Sequence, residues 1–288
     1  MRLGLVTPVV LQVPGVASDW ERTAGPEEIA TIAAAADRLG FDHLTCAEHV
    51  AVPAGDTERG TTYWDPLATL SFLAARTSGI RLTTSVLVLG YHHPLEIAKR
   101  YGTLDRLSGG RLVLGVGVGS LRAEFDLLGA PFEDRGARAD DALAALRASF
   151  GQERVSYRGS HFHYDAMIVE PCAVQQRVPI WVGGHTRRSL RRAVEFGDGW
   201  MPFGLRYAAI SELLAALPPP PGFEIVLSTG RAVDPGGDPA DTTNRLRRLR
   251  DAGATMVSCV VAARSAEHYC DQLAELRELA DRLSEEQT

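Results

Sequence analysis

Arg111-Leu112-Val113-Leu114-Gly115-Val116-Gly117-Val118-Gly119-Ser120 is the stretch on which the reading of this chain turns. Residues 111–116 form a nearly continuous apolar run with no polar alternation. A sheet with one wet face alternates apolar and polar residues, whereas a parallel strand covered by helices on both faces does not. The run then dissolves into glycines, as expected where a buried strand opens into a loop that approaches other backbone or a ligand.

Working outward, short β-branched runs alternate with amphipathic stretches. Strands are expected at 3–6, 43–47, 81–87, 111–116, 179–182, 199–202, 224–229 and 255–261. Helices are expected at 26–39, 66–76, 94–107, 134–150, 186–196, 239–252 and 265–283, with one more ending at the tetraproline Pro218–Pro221. Proline can continue neither a helix nor a central strand, so the tetraproline is a turn. In the first helix, Ile29, Ile32, Ala33, Ala36 and Leu39 share a face, and Pro26, Glu27 and Glu28 suit its start. Eight βα units without a linker predict an α/β fold of the (β/α)8 TIM-barrel type, one domain over residues 1–288. Residues 151–178 break the rhythm as an inserted hairpin and loop after the fourth unit. An open doubly wound sheet is the competing architecture, but residues 3–40 lack its early Gly-rich dinucleotide fingerprint.

Composition narrows the function classes. Hydrophobic residues make up 45% and charged residues 23% of 288 residues, which suits one globular core. The formal net charge of −6, with signs intermixed, leaves no basic stripe for nucleic acid. No apolar run reaches the roughly 20 residues that span a bilayer, and the N-terminus lacks a signal-peptide pattern. The cysteines at 46, 172, 259 and 270 form no CxxC pair and are read as buried free thiols. A cytoplasmic protein is the consistent expectation.

Barrel chemistry gathers where strands end and βα loops begin. Four places fit that position. Glu48-His49 follows the second strand, and histidine exchanges protons near neutrality, although a buried structural role is the alternative. Ser85-Val86 closes the third strand and by pattern is only a strand. Gly117, Gly119 and Ser120 end the fourth, where exposed N–H groups can cradle an anion or the glycines can simply permit tight packing. Gly183-Gly184-His185-Thr186 follows the fifth, with Thr186 as a helix cap and open amides suited to phosphate. No metal site is expected: His92 and His93 are adjacent, and His161 and His163 alternate along an expected strand without zinc-protease spacing. No GxSxG elbow supports a serine hydrolase. The aromatic stretch Tyr157–Tyr164 is either part of a substrate wall or lid or a plain surface hairpin.

Several blocks together resemble the bacterial luciferase-like superfamily. They are Gly40-Phe41-Asp42-His43, Glu48-His49, Ser71–Arg76, and Leu104–Arg111 followed by Leu114–Gly117. Pro179–Gly184 and Gly197-Asp198-Gly199-Trp200 complete the series, which covers roughly residues 3–205. Within it the chain is most similar to the branch of oxidoreductases dependent on coenzyme F420, a 5-deazaflavin, on Ser85-Val86 and Glu48-His49-Val50 with Pro53. The resemblance implies a non-prolyl cis peptide at Ser85-Val86 against the back of the deazaflavin ring. It also implies Glu48 and His49 near the ring, Gly117, Gly119, Ser120, Gly183 and Gly184 around the cofactor tail, a small-molecule substrate, and a homodimer.

The sequence departs from the family pattern in three places. The glucose-6-phosphate dehydrogenase branch has a tryptophan where this chain has Pro53 and a catalytic glutamate where it has Ser120, which disfavours sugar-phosphate chemistry. Flavin monooxygenases of the superfamily often carry paired histidines, and here Val50 follows His49. The expectation is hydride transfer with F420, with His49 as the proton-handling group. An FMN-dependent monooxygenase with a partner reductase and a non-catalytic cofactor-binding barrel are its rivals.

Overall fold

Eight parallel strands close on themselves in the computed structural model, which describes residues 1–56 and 58–285. They are β1 (Arg2–Val6), β2 (His43–Cys46), β3 (Arg81–Thr84), β4 (Leu112–Gly117), β5 (Ile180–Gly183), β6 (Gly199–Met201), β7 (Glu224–Ser228) and β8 (Met256–Cys259). Each pairs with the next, and Leu3 of β1 lies beside Val257 of β8 to close the ring. Helices α1 (Pro26–Arg38), α2 (Pro66–Ala74), α3 (Pro94–Leu107), α4 (Arg122–Leu128), α5 (Arg135–Ser149), α6 (Arg187–Phe196), α7 (Tyr207–Ala216), α8 (Pro239–Asp251) and α9 (Ala266–Glu285) lie between and after the strands. This is the (β/α)8 barrel expected from the sequence.

Local chemistry sets the helix starts. Proline opens α1, α2, α3 and α8, where its missing N–H costs no intrahelical bond. Asp65 and Asp238 accept from the third residue of α2 and α8, satisfying an amide with no partner inside the helix. The barrel interior is filled by side chains. At its N-terminal end the buried His43 ring occupies the space that a Cβ on Gly4 would need, 2.3 Å from its ring atoms, and meets Trp181 edge-on at 5.1 Å. Glu224 accepts from Trp181 Nε1 at 2.6 Å, and Arg81 stacks over the same indole at 5.0 Å.

Three local features differ from the strand and helix pattern read from the sequence, and each bears on the site. The third strand stops at Thr84, the Ser85–Val86 peptide is cis, and Leu87–Val88 then pairs with β4 again. Helix α4 lies between β4 and α5, too short and mixed to show a clear period. Leu11–Gln12 and Thr62–Tyr63 form a small antiparallel pair from the loops after β1 and β2. The insertion is the hairpin expected from the sequence, Arg154–Arg158 against His163–Ile168. His161 lies in its turn, bonded to Ser160, so it does not share a strand face with His163 as the alternation suggested. The hairpin packs on α5: Tyr157 donates to Asp141 at 2.6 Å, and Tyr164 pairs with Ser149 at 2.7 Å. Two cysteines, Cys46 and Cys259, are buried thiols; Cys172 and Cys270 are only partly covered. Among the described residues no helix is long and apolar enough to cross a membrane.

Candidate active site

At the C-terminal ends of the strands lies a cleft of about 590 Å³. Its floor is the bulge after β3. Val86 projects between β4 and β5, and a Cβ on Gly117 or Gly183 would come within 2.7 and 3.0 Å of its methyl groups. Those glycines are therefore explained by close packing against Val86, even though both also border the cleft. Gly119, with φ of +78°, is boxed by Phe125 and Val88 in the same way.

Glu48 secures this floor from below. Its Oε2 accepts from Val88 N at 2.7 Å, and its Oε1 meets His92 Nε2 at 2.7 Å. Burial works against a charged His92 ring, but the hydrogen bond and charge of Glu48 outweigh it and raise its pKa. Glu48 thus binds its own protein, and its carboxylate is committed to shaping the bulge.

His49 borders the cleft with its side chain 19% exposed. Its Nδ1 lies 2.7 Å from Glu124 Oε2, and its ring packs edge-on against Tyr63 at 4.5 Å. Glu124 projects from α4 and is fully buried. It also accepts from Tyr91 Oη at 2.7 Å, Val50 N at 2.5 Å and Ala51 N at 3.2 Å. Burial raises the Glu124 carboxyl, yet these donors together hold it below its ordinary pKa. Tyr91 is pushed upward by burial and by the adjacent carboxylate, so the phenol keeps its proton. An ionised Glu124 only accepts, so Nδ1 of His49 donates to it, while Nε2 has no hydrogen-bond partner among the described residues.

The other end of the cleft is cationic. Arg135 reaches back to Gly119 O at 3.0 Å while stacking on Phe132 at 3.8 Å. Arg192 is tied to Asp140 and to Gly136 O. Arg188 has no side-chain partner among the described residues. Beside it α6 begins, with Thr186 accepting from Ser189 N at 3.2 Å and Ser189 Oγ accepting from Thr186 N at 3.1 Å. Such a helix start attracts anions through its amides and dipole.

The profile of the luciferase-like monooxygenase family matches residues 1–218, more than half of the chain. The chain belongs to that family. Curated mycobacterial relatives match it at 30% identity, and the chain spans 64% of their length. The F420-dependent glucose-6-phosphate dehydrogenase of Intrasporangium calvum is 31% identical over 63% of this chain and 56% of its own. Among solved structures, the monooxygenase RslO1 from Streptomyces bottropensis superposes with a TM-score of 0.77 at 23% identity, covering 99% of this chain and 100% of its own. An F420-dependent secondary alcohol dehydrogenase in complex with an F420–acetone adduct gives 0.77 at 15% identity, over 96% of this chain and 98% of its own. At these identities the two structures establish a shared fold.

Within this luciferase-like barrel, the ten residues singled out at positions 48, 49, 85, 86, 117, 119, 120, 183, 184 and 185 all border the one cleft, as does Thr186. Ser120 is exposed and His185 rests against Phe203 at 5.1 Å. The Tyr157–Tyr164 hairpin does not border it; its hydroxyls are spent on α5, so it is no substrate wall. Leu11, Val13 and Tyr63, carried by the small antiparallel pair and its flank, wall the cleft instead. Sequence reasoning sought an acid at Ser120 and stopped four residues short of Glu124. It also passed over Arg135 and Arg188, although two arginines directly after Thr186 were a visible sign.

Proposed function

We propose that this chain is an F420-dependent oxidoreductase, moving a hydride between C5 of the deazaflavin and a small organic substrate. The observation that carries the reading is the two-ended cleft. A histidine oriented by an ionised carboxylate stands at one end, and an unpartnered guanidinium beside a helix start stands at the other. A flat ring with an anionic tail fits that shape: Val86, Val88, Leu11 and Val13 are apolar ring contacts, and Arg188 with the α6 amides would hold the tail. The deazaflavin form of such a group is favoured by similar proteins whose names carry F420, the two described above among them.

Bound F420 supplies a two-electron hydride donor or acceptor, and the chain supplies orientation and proton handling. His49 Nε2 accepts the proton that a hydroxyl releases on oxidation, and the imidazolium returns it to a carbonyl oxygen on reduction. Glu124 holds Nδ1 and offsets the imidazolium charge; being buried, it does so in a medium where the attraction is strong. Tyr63 limits the ring's tilt by its edge contact.

The test is a pair of fluorescence titrations of the purified protein, one with F420 and one with FMN. Saturation by F420 at concentrations where FMN binds weakly is the expected result. Preference for FMN would move the same residues to an oxygen-dependent monooxygenase and overturn the deazaflavin assignment. Binding of neither would overturn the cofactor site altogether.

A further inference from the structure

A second cleft, of about 630 Å³, opens beside the first between the loop after β6 and the loop after β7, with α8 as its outer wall. Phe203 is the partition: it borders both clefts. The back of the second cleft is apolar, formed by Leu205, Tyr207, Ile210 and Leu249. The polar backbone at its floor is satisfied internally. Ser228 Oγ accepts from Gly230 N at 3.1 Å, and Thr229 O accepts from Arg231 N at 2.7 Å.

The cations are another matter. Arg206, Arg231, Arg245 and Arg248 all face this cleft, from three separate elements. Arg245 is paired with Asp241 at 3.0 Å. Among the described residues the guanidinium groups of Arg206, Arg231 and Arg248 have neither a carboxylate nor a hydrogen-bond acceptor. Other arginines of this chain are closely paired, among them Arg81 with Asp42, Arg147 with Asp198 and Arg192 with Asp140. Three unneutralised guanidiniums converging on one concavity, in a protein of net charge −6, concentrate positive potential where a ligand would sit. Their planar donor forks match carboxylate and phosphate oxygens two at a time.

We propose that this cleft is a second binding site, taking a small molecule with at least two negative charges, phosphate or carboxylate, and an apolar portion against Ile210 and Leu249. Arg206 and Arg248 grip the anionic groups from opposite walls, Arg231 covers them from the β7 loop, and Asn244 offers a neutral hydrogen bond. The site stands independently of the F420 reading, because it shares only Phe203 with the first cleft.

Calorimetric titration at low salt with inorganic tripolyphosphate, and separately with citrate, tests the assignment. The wild type is compared with an Arg206→Ser/Arg248→Ser double variant; both side chains are exposed, and thermal unfolding verifies the fold. At about tenfold per lost charge-assisted contact, the double variant should bind about 100-fold more weakly. Its F420 titration should match the wild type's. A stronger signal from tripolyphosphate assigns a phosphate ligand, and one from citrate a carboxylate. Absence of binding by both probes to the wild type, or binding that the double variant retains, would overturn the proposal.

Discussion

The two ends of the barrel each hold a histidine against a carboxylate, six residues apart in the chain, and they are built for opposite purposes. At the N-terminal end, His43 is wholly buried, with Nδ1 on Asp42 at 2.9 Å and Nε2 on Ser258 Oγ at 2.8 Å. Burial drives its pKa down, and Asp42 only partly opposes this, so the ring stays neutral. At the other end, His49 has one nitrogen fixed by Glu124 and borders an open cleft. A fully satisfied ring is packing material; a half-satisfied ring beside a cavity keeps one nitrogen open to a ligand. Residue type alone does not separate them, and the count of occupied ring nitrogens does.

Four substitutions or conditions break or sharpen that contrast. His49→Ala should lower kcat about 100- to 10,000-fold, the usual range for a lost general acid–base, while the melting temperature changes little. Steady-state assay with F420 and an alcohol or carbonyl substrate of the wild type reads this, and unchanged turnover would remove His49 from the chemistry. His43→Ala should do the reverse. It leaves Ser258 Oγ without its partner, Asp42 with its arginines alone and a void beneath Trp181, costing about 3 kcal/mol in chemical denaturation. F420 affinity of the folded fraction should be preserved.

Acid should loosen the N-terminal end. Burial raises the Asp42 carboxyl, but His43 and Arg81 more than reverse this and bring it from 3.8 to about 2. A depressed carboxyl contributes stability above its unfolded pKa and loses it as pH falls through the folded value, so the contribution fades between about pH 4 and 2. The shift corresponds to about 2 kcal/mol, and Asp42→Asn should flatten the melting temperature of the protein across that window. The smallest effect belongs to Glu124→Gln. The single amide oxygen can serve Nδ1 or the Val50 and Ala51 amides but not both, so the charge and one hydrogen-bonded side are lost together, lowering kcat about tenfold. Steady-state assay reads this, and an unchanged kcat would remove Glu124 from the support of His49.

Much of this architecture was legible in the residues. Unbroken apolar runs marked the covered parallel strands, and Pro26, Pro66, Pro94 and Pro239 marked helix starts to the residue. Position at strand ends was enough to collect the cleft-lining residues from 48 to 186. What failed was whatever depends on contacts distant in sequence. Glu124 meets His49 across 75 positions, and no local pattern links them. The Leu11–Tyr63 pairing joins two short loop segments with no period of their own. The aromatic hairpin invited a wall or lid reading because its tyrosines are amphipathic, but their hydroxyls found Asp141 and Ser149 on α5 instead. The glycines at 117 and 183 were read toward a cofactor tail, while their nearest obligation is to Val86.

Nitrogen-15 NMR of the histidine rings at neutral pH, before and after saturation with F420, tests the contrast between the two ends most directly. Nδ1 of His49 should carry a proton toward Glu124, and Nε2 should shift on cofactor binding while the His43 ring stays unchanged. A His49 ring protonated on Nε2 instead, or one indifferent to the cofactor while His43 moves, would contradict that contrast.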